Sequence, residues 1–533
     1  MTKLRELSRG LAIYGLGDVA VQVMNFLLLP LYVLYLSRAD YGVIALLAAV
    51  EAPAKLFFRW GIDGAFMRFW YDCPGQRERQ RLASTLFFFL LAVNGILLAV
   101  SVAAAPVLSD SLLQTPGYTR ALQLVLLNTF AIGFTFIPFH VMRIQNRPGE
   151  FSALTLARSV STLLLRLLLI VGYGYGVMGI VIADVVVTAL LMLVLVRWFA
   201  PLIRPVFSMA VLRESLAVGL PRVPHGFALQ VMSVADRVIL QRYRSLEEVG
   251  VYSIGVSFGL VPKIALGAFE AAWAPFYYQT SREPDAQRVF VTVTTYGIAV
   301  LALMTAGLAA ISADLLHVMT RGRFVEAAPV VGWTAVGVFF YGVYLLTSIG
   351  LNITSQTKYY PVSTAAGAAV SVGLNLLLIP TYGMLGAAWA NTAAYGVQST
   401  IAYHFSQRFY PIRYEFGRIL RAVIAAALGC LAAALVPEMR ALAGVFVRGF
   451  TVVAVMSGIL WTTGFFNTAE LRWLDGLRRS RRRTSLTAPA DTTEMGGEVV
   501  SVDIPDALVQ SPPPESSPPE SSPTESSPTE PKR

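Results

Sequence analysis

Basic side chains lie inside long apolar segments of this chain, where a charge is costly. At the centre of a bilayer an ionisable group costs about 2.5–3.5 kcal/mol on insertion scales, so it normally faces a partner or a polar cavity. Lys55 and Lys263 each follow a proline closely, in the segments PAK (53–55) and PK (262–263). Proline inside a span kinks the helix and frees carbonyl groups. Such a pair of lysines suits the binding of an anionic group.

Further charged residues in these segments complete the candidate site. The predicted anion-binding residues are Lys55, Arg59, Arg68, Arg222, Arg237 and Lys263. The candidates for a proton or sodium site are Asp18 and Asp236. Residues 51, 55, 59 and 63 are Glu, Lys, Arg and Asp, and their spacing of four predicts one stripe on a helix. Two interpretations of this stripe remain open, a salt-bridge ladder and the wall of a polar cavity.

An internal repeat relates the two halves of the chain. QVMN at 22–25 returns as QVMS at 230–233, and YGVMGIVIAD at 175–184 returns as YGMLGAAWAN at 382–391. The same offset of about two hundred residues places Lys55 on Lys263. Repeats in a strongly apolar chain are typical of transporters whose substrate site lies between the halves. The repeat also pairs Arg166 with Asn375 and Asp184 with Asn391, which we expect to make structural polar contacts.

Composition indicates an all-α polytopic membrane protein. The chain is 55% hydrophobic and only 14% charged, whereas soluble proteins carry about 25% charged residues. A span needs about 20 mostly apolar residues. Apolar runs and helix breakers predict about fourteen spans, at 11–35, 41–66, 82–108, 120–142, 151–172, 177–199, 213–241, 249–276, 289–312, 326–351, 359–380, 384–405, 417–436 and 443–465.

These spans predict two pseudo-symmetric six-helix lobes, 1–205 and 206–410, followed by two additional helices within 411–466. Basic residues concentrate in alternate loops, which places both termini in the cytoplasm. The net charge of +10 is therefore a topology signal and does not indicate nucleic-acid binding. The segment 467–533 ends in a Ser-Pro-Glu repeat, which is typical of a disordered tail.

Motifs for catalysis, metal binding or nucleotide binding are absent from the sequence. It contains no HExxH, GxSxG or P-loop motif, and its two cysteines, Cys73 and Cys430, give no disulfide framework. We therefore expect no enzymatic activity and no cofactor. Transport would be driven by substrate gradients, by the membrane potential or by coupled Na⁺ or H⁺.

Three segments resemble bacterial polysaccharide-export flippases of the multidrug/oligosaccharidyl-lipid/polysaccharide superfamily. They are YGLGDVAVQVMNFLLLPLYVLYLSRADYGVIAL at 14–46, GIDGAFMRFWYD at 61–72, and DRVILQRY with EEVGVYSIG within 236–255. The resemblance covers about residues 5–465. It implies transfer of undecaprenyl-pyrophosphate-linked oligosaccharide units from the inner to the outer leaflet of the bacterial inner membrane. Lipid II flippases of this superfamily use basic residues on helices 2 and 8, and Lys55 and Lys263 look like their counterparts.

The expected partners are the lipid-linked oligosaccharide, membrane lipids and other polysaccharide assembly proteins. Two alternatives remain open at this point. A drug or cation antiporter of the same superfamily would use an acidic, aromatic-lined cavity. A membrane-embedded glycan polymerase or ligase would need a large outer loop or an acidic catalytic motif.

The topology prediction can be tested by cysteine labelling in intact cells. A single cysteine introduced within 321–325 should react with a membrane-impermeant thiol reagent, because this loop lies outside. A cysteine within 77–81 should react only after the cells are opened. The opposite pattern of accessibility would exclude the fourteen-span arrangement.

Overall fold

The structure is a computed structural model, and it describes residues 29–114 and 117–466. Every regular element in these ranges is a helix, which confirms the all-α class. Only the last residues of the first predicted span, 29–35, are described, as the end of helix α1. Asp18 and the predicted tail, 467–533, lie outside the described residues.

The first half of the chain forms long helices that several breaks divide into shorter pieces. After α1 they are α2 (Arg38–Phe57), α3 (Ile62–Asp72), α4 (Gln76–Leu113), α5 (Thr119–Gly133), α6 (Phe136–Ile144), α7 (Pro148–Leu167) and α8 (Gly176–Phe199). A π-helical turn, Leu168–Gly172, extends α7. Pro148 occupies the first turn of α7, where its missing N–H leaves no helical hydrogen bond unmade.

The second half of the chain also consists of helices. Its helices are α9 (Met209–Gly219), α10 (Val223–Tyr243), α11 (Leu246–Gly259), α12 (Val261–Thr280), α13 (Ala286–Thr320), α14 (Ala328–Thr347), α15 (Ile349–Ile353), α16 (Tyr359–Phe409), α17 (Phe416–Ala434) and α18 (Ala441–Thr462). Gly383 divides α16 in two, because its φ of 55° and ψ of −133° suit only glycine. There Glu248 accepts a hydrogen bond from the backbone N–H of Met384 at 2.8 Å.

Most predicted spans correspond to helices of the required length. Within the described residues, ten helices or joined helices are long and apolar enough to cross a membrane. An eleventh span is the bent pair of α11 and α12, whose axes turn by 42° at the break before Pro262. The predicted spans 359–380 and 384–405 both lie in α16, on either side of Gly383. The predicted span 213–241 is helical in α9 and α10, but it is not among the ten.

The helices α2 and α11 pack in close contact at one end of the bundle. We call this the outer end, since the topology prediction places its turns, near residues 37 and 245, outside. A Cβ atom at Gly42 would clash with the backbone oxygen of Leu246, and one at Gly250 would clash with that of Arg38. Two backbones therefore meet here without an intervening side chain.

Polar contacts reinforce the outer end. The guanidinium group of Arg38 donates to the backbone oxygen of Arg323 at 2.7 Å and pairs with the Glu326 carboxylate at 3.3 Å. Arg323 in turn donates to the backbone oxygen of Val33. These bonds tie α1 and α2 to the turn that precedes α14.

The two additional helices pack on α13. The Arg448 guanidinium of α18 lies 2.8 Å from the Asp314 carboxylate of α13, and both side chains are largely buried. A buried pair of this kind satisfies two charges that the apolar surroundings would otherwise penalise.

We expect Gly250→Ala to destabilise the bundle, because the added methyl group forces α2 and α11 apart. Overpacking of this kind costs about 1–3 kcal/mol. Thermal unfolding in detergent should show a lower Tm than for the unmodified protein. The control is Gly95→Ala on α4, where a Cβ meets nothing within 4 Å. An unchanged Tm for Gly250→Ala would contradict the close contact.

Candidate functional site

Three adjoining cavities lie along α12 and α14. The central cavity, of about 500 Å³, is lined by α2, α10, α11, α14 and the second part of α16. The lysine cavity, of about 580 Å³, contains Lys263 and Glu270 of α12. The tyrosine cavity, of about 560 Å³, extends from Glu270 to Thr357, near the predicted cytoplasmic loop that precedes α16. Tyr341 lines all three cavities, so they lie next to one another around its ring.

Lys263 lies in the first turn of α12 and lines both the central cavity and the lysine cavity. Its ammonium nitrogen is 5.3 Å from the centre of the Tyr341 ring, a cation–π contact. Among the described residues Lys263 makes no ion pair. Its charge is thus held over an aromatic face and points into a cavity, which leaves it available to an anion.

Aromatic residues dominate the tyrosine cavity, and Glu270 is its one carboxylate among the lining residues. The ring of Tyr341 stacks against that of Tyr344 at 5.9 Å, and Tyr344 meets Tyr360 edge to face at 6.0 Å. Glu270 lies seven residues after Lys263 on α12, about 10 Å along the helix axis. It makes no ion pair within the part of the chain that the structure describes.

Asp236 lies at the centre of a buried hydrogen-bond network. Its side chain is 1% exposed. One carboxylate oxygen accepts from the Tyr252 hydroxyl at 2.5 Å and from the Asn391 amide at 2.6 Å. The other accepts from the backbone N–H of Arg237 at 2.7 Å, and the Arg237 guanidinium lies 3.2 Å away. The network joins α10, α11 and α16, and it borders the central cavity.

Lys55, the repeat partner of Lys263, has different surroundings. Its ammonium group pairs with the Glu51 carboxylate at 2.7 Å, one turn earlier on α2. Lys55 lines none of the three cavities described above. The shared offset therefore gives the two lysines matching positions along the chain but unequal access to an anion.

The predicted stripe from Glu51 to Asp63 does not lie on one continuous helix. The chain leaves the helix after Phe57, and Trp60 and Gly61 have positive φ values of 52° and 66°. A Cβ at Gly61 would clash with the backbone of Gly219, so α9 fits against this break. The expectation of a single face was wrong because helical spacing does not continue through the break.

The charges of the stripe form two separate pairs, Glu51 with Lys55 and Arg59 with Asp63, the second at 3.9 Å. This arrangement agrees with the ion-pairing interpretation of the stripe. Arg68 lies further along α3, exposed and beside the Phe69 ring at 5.7 Å. Neither Arg59 nor Arg68 lines the three cavities.

The structure does not describe the side chains of two other predicted site residues, Asp18 and Arg222. Asp18 lies outside the described residues. Arg222 is the last residue of a 3-10 turn between α9 and α10, and its side chain is likewise outside what the structure describes. Their roles stay predictions.

Arg166 and Asn375, which the repeat relates, each make polar contacts within their own half of the chain. Arg166 of α7 binds the Asp184 carboxylate of α8 through two hydrogen bonds, at 3.0 Å and 2.6 Å. In the second half Asn375 donates to Ser371 at 3.2 Å, and Ser371 donates to Asn391 at 3.1 Å. An ion pair in one half thus corresponds to a chain of neutral hydrogen bonds in the other.

Sequence reasoning missed the aromatic part of the site. Tyr341 and Tyr344 are three residues apart, which places them on one face of α14, but apolar runs do not distinguish such rings from lipid-facing ones. A search for aromatic residues on the same helical faces as the buried charges would have found both.

The fold and the cavities together define a multi-pass membrane protein of transporter architecture. Residues 35–328 match the model of the family described as "Polysaccharide biosynthesis protein". The match covers more than half of the chain, and the chain belongs to that family.

Solved structures establish the same fold at low sequence identity. A lipid II flippase, MurJ, in an inward closed conformation superposes with a TM-score of 0.67 and 15% identity, covering 84% of this chain and 99% of that one. An inward-facing MATE-family multidrug resistance transporter of the MOP superfamily gives 0.59 and 15%, covering 73% and 94%. A curated relative is the uncharacterized membrane protein MJ1068 of Methanocaldococcus jannaschii. It is 22% identical over 422 residues, which are 73% of this chain and 81% of the relative.

We expect Asp236→Asn to lower the stability of the protein. An amide at this position cannot accept all the hydrogen bonds that the carboxylate accepts, and it leaves Arg237 without its negative partner. Breaking a buried charge pair by removing one partner costs about 3–5 kcal/mol. The Tm in detergent should fall, whereas that of Asp110→Asn, at an exposed position of α4, should not. Equal Tm values for the two variants would contradict a stabilising role for this network.

Proposed function

We propose that the protein flips lipid-linked oligosaccharide units across the bacterial inner membrane by alternating access. The substrate would carry an undecaprenyl pyrophosphate, and the product would serve polysaccharide assembly. Membership of the polysaccharide biosynthesis family supports this proposal, as does the flippase-like fold. Both termini would lie in the cytoplasm, as the distribution of basic residues predicts.

One observation carries the proposal, the unpaired Lys263 in a cavity. A charge inside a membrane protein is normally neutralised by a fixed partner or serves a transported group. Lys263 has a cation–π contact but makes no ion pair among the described residues, and the nearest carboxylate in its cavity, that of Glu270, lies two helical turns away. A pyrophosphate that enters the cavity would supply the missing negative charge, and it would depart when the cavity opens on the other side.

Alternating access requires that the two ends of the cavity open in turn. The Gly42 and Gly250 contact and the Arg38–Glu326 pair would hold the outer end closed in one state of the cycle. Separation of α2 from α11 would open it. The polyprenyl chain would remain in the bilayer, where its apolar surface stays out of water.

The driving force is part of the proposal. No nucleotide-binding motif occurs in the sequence, so a membrane potential, a substrate gradient or coupled Na⁺ or H⁺ would drive the cycle. Asp236 is a candidate for ion coupling because it borders the central cavity. Its four hydrogen-bond donors mean that ion binding there would have to rearrange the network.

We expect Lys263→Ala to reduce flipping about tenfold or more, which corresponds to about 1.4 kcal/mol of lost interaction. Lys263→Arg should retain most activity because the positive charge survives. Lys55→Ala should also reduce flipping, but by less, because Glu51 already neutralises Lys55. The measurement is transfer of a defined lipid-linked glycan in proteoliposomes, together with complementation of an export-deficient strain.

The matched control for this prediction is Lys358→Ala. Lys358 also lies over an aromatic ring, that of Tyr359 at 5.4 Å, but it is exposed and outside the three cavities. Its removal should leave flipping unchanged. Full activity of a Lys55→Ala/Lys263→Ala double variant at normal protein level would exclude the anion site.

A second candidate function is export of organic cations, and one observation favours it. Glu270 lies among aromatic rings in the tyrosine cavity, an arrangement that attracts cations. Uptake of a cationic dye into the same proteoliposomes distinguishes the two functions. Dye transport that Glu270→Gln abolishes, without any transfer of glycan lipid, would favour the antiporter. Growth of longer glycans on the lipid would instead indicate a polymerase.

A further inference from the structure

The tyrosine cavity has the chemistry of a carbohydrate site. Its rings include Trp273, Tyr277, Tyr344 and Tyr360, and it also presents the Ser348 hydroxyl and the Asn352 amide. Aromatic faces carry partial negative charge, and they pack well against the C–H faces of sugar rings. Hydroxyl and amide groups both donate and accept hydrogen bonds. The volume of about 560 Å³ suits a short glycan, within the range of about 300–1,000 Å³ typical of ligand pockets.

The position of the tyrosine cavity relative to Lys263 determines which part of the substrate each cavity would hold. Glu270 borders both the lysine cavity and the tyrosine cavity, and it lies about 10 Å from Lys263 along α12. A pyrophosphate at Lys263 would therefore place the sugars nearest to it beside Glu270 and the tyrosine rings. The cavity also reaches Thr357, so a glycan can enter from the predicted cytoplasmic side.

Glu270 then determines which sugars fit. We infer that the tyrosine cavity binds the sugars next to the pyrophosphate and that Glu270 selects uncharged or amino sugars over acidic ones. A carboxylate accepts hydrogen bonds from sugar hydroxyl groups or from an ammonium group. A uronic acid would bring a second negative charge beside Glu270, which makes no ion pair among the described residues, while the charge of Lys263 in the lysine cavity would be taken up by the pyrophosphate. This inference rests on the proposed function, because it assumes a lipid-linked glycan.

The test compares two lipid-linked disaccharides that differ only in the second sugar. One carries glucose and the other glucuronic acid, both on the same N-acetylhexosamine and undecaprenyl pyrophosphate. In proteoliposomes the unmodified protein should flip the neutral glycan about tenfold faster, the scale expected for repulsion between two partly solvated carboxylates. Glu270→Gln should remove most of this difference by accelerating the acidic glycan.

Control variants separate selection from folding. Glu283→Gln lies in the exposed turn after α12 and should keep the preference of the unmodified protein. Glu270→Asp keeps the negative charge and should keep the preference for the neutral glycan. It provides a second test of the inference if Glu270→Gln fails to accumulate in the membrane. Tyr344→Ala should slow both glycans equally, because it removes a sugar-packing surface and no charge.

The outcomes distinguish this inference from the proposed function. If the unmodified protein flips neither glycan, the proposed function fails. If it flips both at the same rate, or if Glu270→Gln slows both alike, the selective role of Glu270 is wrong while the flippase proposal stands. A preference for the neutral glycan that Glu270→Gln abolishes supports both.

Discussion

The contact between α2 and α11 is the constraint on which the central cavity depends. Gly42 and Gly250 let two backbones meet at the outer end without side chains between them. α11 also packs against α10 and α14, and side chains of these three helices line the central cavity. The 42° bend before Pro262 turns α12 away from α11 and directs Lys263 into that space. A straight helix would carry this lysine elsewhere.

The two halves that the sequence repeat defines use their buried polar groups differently. The first half neutralises its charges locally, as Lys55 with Glu51 and Arg166 with Asp184. In the second half, Asn375 and Asn391 occupy the positions of the second pair, and Asp236 provides the buried charge. Of the two repeat-related lysines only Lys263 lines a cavity, and among the described residues it makes no ion pair. Under the proposed function, this asymmetry would concentrate anion binding in the second half.

Sequence patterns predicted the helices well because a bilayer imposes length and apolarity on every span. For example, the predicted boundaries at 351 and 359 lie close to the end of α15 at Ile353 and at the start of α16 at Tyr359. The same patterns could not show that the chain leaves the helix at Trp60, since that break depends on the backbone of Gly219 against it. Spacing along the chain reveals contacts only within one helix. A spacing of four allowed the ion pair of Lys55 with Glu51 to be anticipated. It could not show that Lys263 packs on Tyr341, which belongs to another helix.

The chemistry of Lys263 suits a group that must leave as well as bind. Lysine offers a compact charge without the fixed fork of arginine, so it holds a phosphate with less geometric demand. Its contact with Tyr341 is worth about 0.5–2 kcal/mol, enough to hold the ammonium group in place when the cavity is empty. An anion would compete for the same charge through a stronger interaction, and release would restore the ring contact. A fixed carboxylate at this position would instead compete with every incoming phosphate, as Glu51 does at Lys55.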